Sequence, residues 1–298
     1  MGVVPVEELV DPAFLASLQP LRITARRVVR GGRHAEHLSK ELGSGLEFKD
    51  FRPYVPGDDL RAIDWNIYRR LGRVFVRLFE EQQDLPLYLL PDVSKSLVAE
   101  GDGVRAKAAL RATLALAAIS LNQHDRVGIF PFADELRTHE RPKSGKNQVL
   151  TIARRLADID FGSTTDLVGA LSRFDSMRWR QGLCVVVSDF FDPAGIQAIT
   201  DRLGRLRHKL LLIQITRPAD RIPDFEGDLR LVDCETGDAH DVSVTDSVLQ
   251  RYRDAYDKYF EELTTFATRR SAGLVRINAE VDIVEQLAAV FEGGAFAA

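Results

Sequence analysis

The feature that most constrains this chain is a short apolar run that ends abruptly in polar side chains. Residues 85–91 read Leu-Pro-Leu-Tyr-Leu-Leu-Pro, and Asp92, Ser94 and Ser96 follow on alternate positions. A run of this length is too short for an ordinary helix and is typical of a strand buried on both faces. A long helical pattern follows over residues 104–121. This order of strand, polar loop and helix predicts the opening unit of a doubly wound α/β domain.

A second apolar run repeats this arrangement further along the chain. Residues 182–189 read Gly-Leu-Cys-Val-Val-Val-Ser-Asp, so this predicted strand also ends in an acid, Asp189. Strand and helix patterns alternate over residues 83–298, which predicts a Rossmann-type α/β domain with a mostly parallel sheet. We predict that residues 1–82 form an N-terminal extension packed on this domain, with a helix over residues 11–29.

The composition excludes several classes of protein. The chain has 298 residues and a net charge of −4, with 45% hydrophobic and 28% charged residues. These values indicate a globular protein and favour neither nucleic acid nor an anionic membrane as a partner. The chain has two cysteines, too few for a disulfide framework. No apolar stretch reaches the roughly 20 residues of a membrane span, and the N-terminus lacks a secretory signal. We therefore expect a cytoplasmic protein.

The strand ends carry the candidate chemistry. Because parallel strands end at the same edge of a sheet, Asp92 and Asp189 are expected to lie together there, within reach of Ser94, Ser96 and the threonines at 164–165. Carboxylates and hydroxyls form a hard oxygen set that suits Mg²⁺ or Mn²⁺ better than Zn²⁺. Neutral hydroxyl ligands would leave the metal electrophilic, so an incoming carboxylate could complete its shell. Asp and Ser are also common helix caps, which is the plainer interpretation.

A second polar segment surrounds the turn at Pro56-Gly57, where arginine and aspartate alternate. One interpretation is an ion-pair network that fixes this turn, and the other is a surface that binds a partner. The candidate partner-binding residues are Arg52, Tyr54, Asp58, Asp59, Arg61, Asp64 and Trp65.

Much later in the chain, Glu235-Thr236-Gly237 predicts a hairpin turn, and a functional role for it would require that it lie near Asp92.

These motifs resemble a known family. The pattern Asp92-x-Ser94-x-Ser96, with a later threonine and Asp189, resembles the metal-ion-dependent adhesion site (MIDAS) of von Willebrand factor A domains. Residues 45–65 resemble the signature of the domain of unknown function 58 proteins, a bacterial group within that superfamily, and residues 231–237 are similar to a later family segment. The resemblance implies a von Willebrand factor A-like fold and these metal ligands: Asp92, Ser94, Ser96, Thr165 and Asp189.

The resemblance also implies a function. Such proteins resemble non-catalytic adaptors that work with MoxR-type AAA+ ATPases in the remodelling or maturation of other proteins. Mg²⁺ or Mn²⁺ would then accept a carboxylate from a partner protein. One alternative is a Mg²⁺-dependent phosphatase or phosphotransferase with Asp92 as nucleophile, although the second acid of that class is replaced by Ser94. A structural module with an empty metal site is the other alternative.

Overall fold

Two compact units make up the chain in the computed structural model. The structure describes residues 4–21, 23, 26–30, 46–58, 60–82, 86–123, 125–137, 140–162 and 164–292. The described residues of 1–23 and 85–296 form the larger unit, and those of 24–84 form the smaller one. This division differs from the predicted boundary at residue 82. The N-terminal residues belong to the larger unit because Leu9, Phe14 and Leu18 are buried in its hydrophobic core.

The described part of the chain alternates between strands and helices. The strands are β1 (Arg26–Arg30), β2 (Leu46–Pro53), β3 (Phe75–Gln82), β4 (Leu87–Pro91), β5 (Val127–Ile129), β6 (Glu140–Lys143), β7 (Leu183–Ser188), β8 (Lys209–Thr216), β9 (Gly227–Val232), β10 (Ala239–Val244) and β11 (Gly273–Asn278). The helices are α1 (Val6–Leu9), α2 (Pro12–Ser17), α3 (Trp65–Leu71), α4 (Val104–Asn122), α5 (Gln148–Ala157), α6 (Leu167–Ser176), α7 (Gly195–Arg205), α8 (Pro218–Arg221), α9 (Asp246–Arg270) and α10 (Ile283–Glu292). Short 3-10 turns lie at Leu60–Ala62 and Lys95–Val98.

A six-stranded sheet forms the centre of the larger unit. Its strand order is β11-β8-β7-β4-β5-β6, and every neighbouring pair is parallel except β5 with β6. This sheet confirms the predicted α/β class and the mostly parallel pairing. β5, the next strand in the chain, pairs with one edge of β4, and β7 later pairs with the opposite edge of β4. The carboxyl ends of β4 and β7 therefore flank a topological switch point, where such sheets bind ligands.

Both faces of this sheet are buried, as the continuous apolar runs predict. Alternate residues of β7 enter different hydrophobic clusters: Val185 and Val187 join one, and Cys184 and Val186 join the other. This split follows from the two-residue side-chain period of a strand. The helix α4 buries most of its length against the first cluster. Within the described residues, no helix has the length and apolar character needed to cross a membrane.

The smaller unit contains a three-stranded antiparallel sheet with the order β1-β3-β2. The predicted helix over residues 11–29 is wrong in its second half, because α2 ends at Ser17 and Arg26–Arg30 is a strand. Pro20 explains the early end, since the residue before a proline is disfavoured in helical conformation.

Candidate metal site

The first predicted ligand, Asp92, lies directly after β4 and is completely buried. The backbone N–H of Ser94 donates to its Oδ1 at 2.9 Å, and the Ser188 hydroxyl donates to its Oδ2 at 2.6 Å. The backbone N–H of Asp92 donates to the Val187 carbonyl at 2.8 Å, which continues the pairing of β4 with β7. Both carboxylate oxygens are therefore held in place by the two strand ends.

The two serines and Asp189 lie in contact with one another. Ser94 Oγ and Ser96 Oγ are 3.0 Å apart, and Ser96 Oγ donates to Asp189 Oδ2 at 3.1 Å. The predicted meeting of Asp189 with the polar residues after β4 at one sheet edge is thus observed. Octahedral Mg²⁺ binds oxygen at about 2.0–2.1 Å, so neighbouring ligands lie about 2.9 Å apart. The observed oxygen spacings fit such a shell.

Thr165 reaches this edge through a tightly held loop. The backbone N–H of Asp166 donates to the Ala133 carbonyl at 2.8 Å, and the N–H of Leu167 donates to Asp192 Oδ2 at 2.7 Å. These bonds tie the Thr165 loop to the loops after β5 and β7. Thr165 itself is nearly buried, with 6% of its surface exposed.

Glu235 is a site residue that the sequence patterns did not identify. Its Oε2 accepts the backbone N–H of Thr165 at 2.9 Å, and its Oε1 accepts the Thr165 hydroxyl at 2.8 Å. The charge of Glu235 also acts on Asp92, whose pKa it raises. The predicted hairpin turn therefore lies near Asp92, which is the condition for a functional role of this turn. Ser188, which donates to Asp92, was also missed; its position immediately before the strand-terminal acid was the available signal.

The hairpin tip holds Glu235 in a defined backbone conformation. Asp233 Oδ1 accepts the backbone N–H groups of Glu235 at 2.8 Å and of Thr236 at 2.9 Å. These two bonds lower the pKa of Asp233, because they favour its charged form. The Gly237 N–H donates to the Asp233 carbonyl at 2.9 Å and closes the turn.

The site concentrates negative charge away from water. Burial raises the pKa of both Asp92 and Asp189, and the charge of Asp92 raises that of Asp189 further. Within the described residues neither carboxylate has a Lys, Arg or His as a salt-bridge partner. Buried carboxylates are costly unless they are paired or bind a cation. A divalent cation would therefore relieve the repulsion between the carboxylates of Asp92 and Asp189 at this edge of the sheet.

The donor chemistry fits Mg²⁺ or Mn²⁺. No group of three or more His, Cys, Asp or Glu side chains arranged to hold a metal is found in the part of the chain that the structure describes. The candidate ligands are instead two carboxylates and three hydroxyls, an all-oxygen set of the kind that hard cations prefer.

The backbone beside Asp189 is strained. Phe190 has a φ of 63°, in the left-handed region that bulky residues seldom adopt. Its N–H donates to Ser188 Oγ at 2.9 Å, and its side chain is completely buried. Strain of this kind persists only where the surroundings impose it, and it is concentrated at functional sites. This strained residue comes immediately after Asp189, the last of the five predicted ligands.

The predicted partner-binding residues lie in the smaller unit. Arg52 pairs with Asp58 at 2.5 Å, and Asp58 Oδ2 accepts the Val55 N–H at 3.0 Å, so this ion pair closes the turn. Asp64 caps α3 by accepting two backbone N–H groups.

The other residues of this prediction differ in exposure. Tyr54 is partly buried, whereas Trp65 is 59% exposed and stacks edge-on against Tyr68. Asp59 and the Arg61 side chain lie outside the described residues. The ion pair of Arg52 with Asp58 agrees with the interpretation that the charges fix this turn, whereas binding of a partner remains a prediction.

The fold and site define an α/β protein whose candidate site lies at the carboxyl ends of adjacent parallel strands. The family model described as "Protein of unknown function DUF58" matches residues 50–262, and the chain belongs to this family. The uncharacterized protein Rv1480 of Mycobacterium tuberculosis (strain ATCC 25618 / H37Rv) is 30% identical over 240 residues, covering 78% of this chain and 75% of its own length.

Two further similarities are more limited. The uncharacterized protein MAV169 of Mycobacterium avium is 32% identical over 99 residues, which cover 32% of this chain and 57% of that protein. The crystal structure of the conserved hypothetical protein BatB from Bacteroides thetaiotaomicron is similar over 72% of this chain and 98% of its own, at 14% identity and a TM-score of 0.42.

Proposed function

We propose that this chain is a non-catalytic, metal-dependent adaptor that binds a carboxylate of a partner protein. In this proposal the larger unit is a von Willebrand factor A-like domain, and Mg²⁺ or Mn²⁺ is held by Asp92, Ser94, Ser96, Thr165 and Asp189. The observation that carries the proposal is the contact of Ser94 Oγ, Ser96 Oγ and Asp189 Oδ2 at 3.0 and 3.1 Å. These spacings match neighbouring ligands of an octahedral shell, about 2.9 Å apart.

Each residue has a separate task in this arrangement. Asp92 and Asp189 supply the negative charge that attracts a divalent cation. The serine and threonine hydroxyls contribute neutral oxygens, and Ser188 orients Asp92 through its hydrogen bond of 2.6 Å. When bound, the cation supplies an electrophilic centre that can accept one more carboxylate oxygen. The partner is therefore a protein that presents an acidic side chain.

The wider biological setting is proposed from the family resemblance. It suggests a MoxR-type AAA+ ATPase as partner, with the adaptor acting in the remodelling or maturation of other proteins. A cytoplasmic location is part of the same proposal, since two cysteines provide no disulfide framework.

The geometry of Asp92 favours this proposal over phosphoryl transfer. A nucleophilic carboxylate needs a free oxygen that the substrate can approach. Asp92 is completely buried, and hydrogen bonds from Ser94 and Ser188 engage its two oxygens. The position two residues later carries Ser94, which cannot serve as a general acid at neutral pH.

Titration calorimetry of metal-free protein with Mg²⁺ and then Mn²⁺ tests the proposal. We expect saturable binding by the wild type and at least a tenfold loss of affinity in Asp92→Asn and Ser96→Ala, since even outer-shell changes cost about 10–100-fold. Asp254→Ala, an exposed acid on α9, is the matched control and should bind like the wild type. Absence of binding at millimolar metal in folded wild-type protein would contradict the proposal and favour a structural module.

A further inference from the structure

The carboxylate of Glu235 comes to the candidate metal site from a separate element. The hairpin of β9 and β10 forms a two-stranded sheet of its own, distinct from the six-stranded sheet that carries Asp92 and Asp189. Its residues are mostly exposed, including Leu231 at 44% and Val232 at 61%. An isolated two-stranded hairpin is only marginally stable. Its tip contacts the site through the pair of hydrogen bonds from Thr165 to Glu235.

Glu235 makes both of these bonds with a predicted metal ligand. A hydroxyl has one donor proton and two acceptor lone pairs. The Thr165 hydroxyl donates to Glu235 Oε1, so its lone pairs remain available to a cation. Glu235 thus lies directly beside Thr165, on the side from which the hairpin approaches.

The charges at the site disfavour the simultaneous presence of Glu235 and a partner's carboxylate. Asp92, Asp189 and Glu235 bring three carboxylates to the site, against the two positive charges of a divalent cation and the charge of Arg105, which acts on Asp189. A further carboxylate from a partner would add a fourth negative charge beside these three, and like charges at close range repel. Removal of Glu235 would leave the cation balanced by Asp92 and Asp189 alone. An incoming carboxylate could then bind the cation in place of Glu235.

We propose that Glu235 is an internal ligand that occupies the place of the partner's carboxylate and that the hairpin must release it before the partner binds. This inference rests on the proposed function, since it requires a cation in the site. A tethered carboxylate acts at an effective concentration in the millimolar range, so weak free carboxylates compete poorly with it. A partner that also contacts the exposed hairpin can displace it. The need to displace Glu235 therefore restricts the site to partners that also contact the hairpin.

Water-proton relaxation of Mn²⁺-loaded protein tests this inference, with acetate as the carboxylate probe. The variants are Glu235→Gln, which keeps the shape of the side chain, and Glu235→Ala. Asp241→Asn on β10 is the control, because it removes the same charge from an exposed position of the same hairpin. Circular dichroism verifies that each variant is folded.

We expect both Glu235 variants to retain Mn²⁺ and to show higher relaxivity than the wild type, because water enters the vacated position. Acetate should lower this relaxivity with an apparent Kd about tenfold smaller than in the wild type, which corresponds to an internal ligand bound in about 90% of molecules. Asp241→Asn should match the wild type in both measurements.

The possible failures are distinguishable. If Mn²⁺ binds to all variants but relaxivity and acetate affinity do not change, Glu235 only pins Thr165 and the inference is wrong, while the proposed function stands. If the Glu235 variants lose Mn²⁺ altogether, Glu235 is an obligatory ligand and cannot be displaced by a partner. If the folded wild type does not bind Mn²⁺, the proposed function fails and the inference fails with it.

Discussion

At the residue scale, His208 shows how burial controls protonation outside the candidate site. It is 8% exposed, and its ring lies against Tyr88 and Phe174, with centroid separations of 5.1 and 5.3 Å. Its Nδ1 accepts the Gly182 N–H at 3.2 Å, so the neutral ring carries its proton on Nε2. Burial lowers the pKa of His208, and the nearby charge of Asp175 offsets only part of this.

This lowered pKa predicts a specific loss of stability in mild acid. The unfolded chain takes up a proton near the ordinary histidine pKa of about 6.5, whereas the folded chain resists protonation. The free energy of unfolding should therefore be at its full value above about pH 6.5 and fall by up to ~1.4 kcal/mol per pH unit below it. His208→Phe keeps the aromatic packing but cannot titrate.

Urea unfolding between pH 7.5 and 5.5 measures this effect. The variant should be less stable at pH 7.5, because the Gly182 N–H loses its acceptor, and its stability should depend less on pH than that of the wild type. Identical pH dependence in the two proteins would show that His208 is protonated equally in the folded and unfolded states.

At the scale of elements, the start of β7 requires a glycine. A Cβ atom on Gly182 would lie 2.2 Å from the Pro86 carbonyl oxygen and 2.8 Å from the Tyr88 ring. The same carbonyl accepts the Leu183 N–H at 2.9 Å, which begins the pairing of β7 with β4. Because the obstructing atom belongs to the backbone, the two strands cannot separate without loss of this bond.

Gly182→Ala should therefore lower the free energy of unfolding by about 1–3 kcal/mol, the usual cost of overpacking. Gly204→Ala in α7 is the matched control, because its Cβ would meet only the Phe266 ring at 3.7 Å. It should raise stability by about 0.5–1 kcal/mol through helix propensity. Denaturant unfolding of both variants tests this, and a destabilised Gly204→Ala with an unaffected Gly182→Ala would reverse the expectation.

At the scale of the whole molecule, Arg105 joins segments that are far apart in the sequence. Arg105 lies in α4 and is 7% exposed. It forms a bidentate pair with Asp220, 115 residues away, and it also binds Glu100. Arg217 extends this network to Asp102 and Glu280. The network links the loop after β4 to the regions after β8 and β11.

Arg105→Leu should cost about 3–5 kcal/mol, because it leaves Asp220, whose side chain is only 11% exposed, without its bidentate partner. Arg221→Leu is the matched control, since Arg221 and Asp257 form an equally bidentate pair whose side chains are 52% and 49% exposed. An exposed pair contributes at most about 1 kcal/mol, so this variant should be nearly neutral. Equal losses in urea unfolding would show that burial does not distinguish the two pairs.

Local sequence patterns were sufficient for the parts of the fold that depend on local physics. The apolar runs of β4 and β7 could be recognised because a strand buried on both faces needs no alternation. The meeting of Asp92 with Asp189 followed from the common direction of parallel strands. The second half of the predicted 11–29 helix was wrong, because Arg26–Arg30 pairs with β3. This pairing cannot be recognised from the residues of the strand itself.

The sequence by itself therefore determined the α/β class, the mostly parallel sheet and the collection of acids and hydroxyls at one edge. Only the tertiary structure decided that Glu235 lies against Thr165, 70 residues away. A hairpin turn has the same sequence pattern whether it points into solvent or toward a site. Its direction depends on the packing of elements distant in the chain, and this packing places a third carboxylate against Thr165, where its charge acts on Asp92.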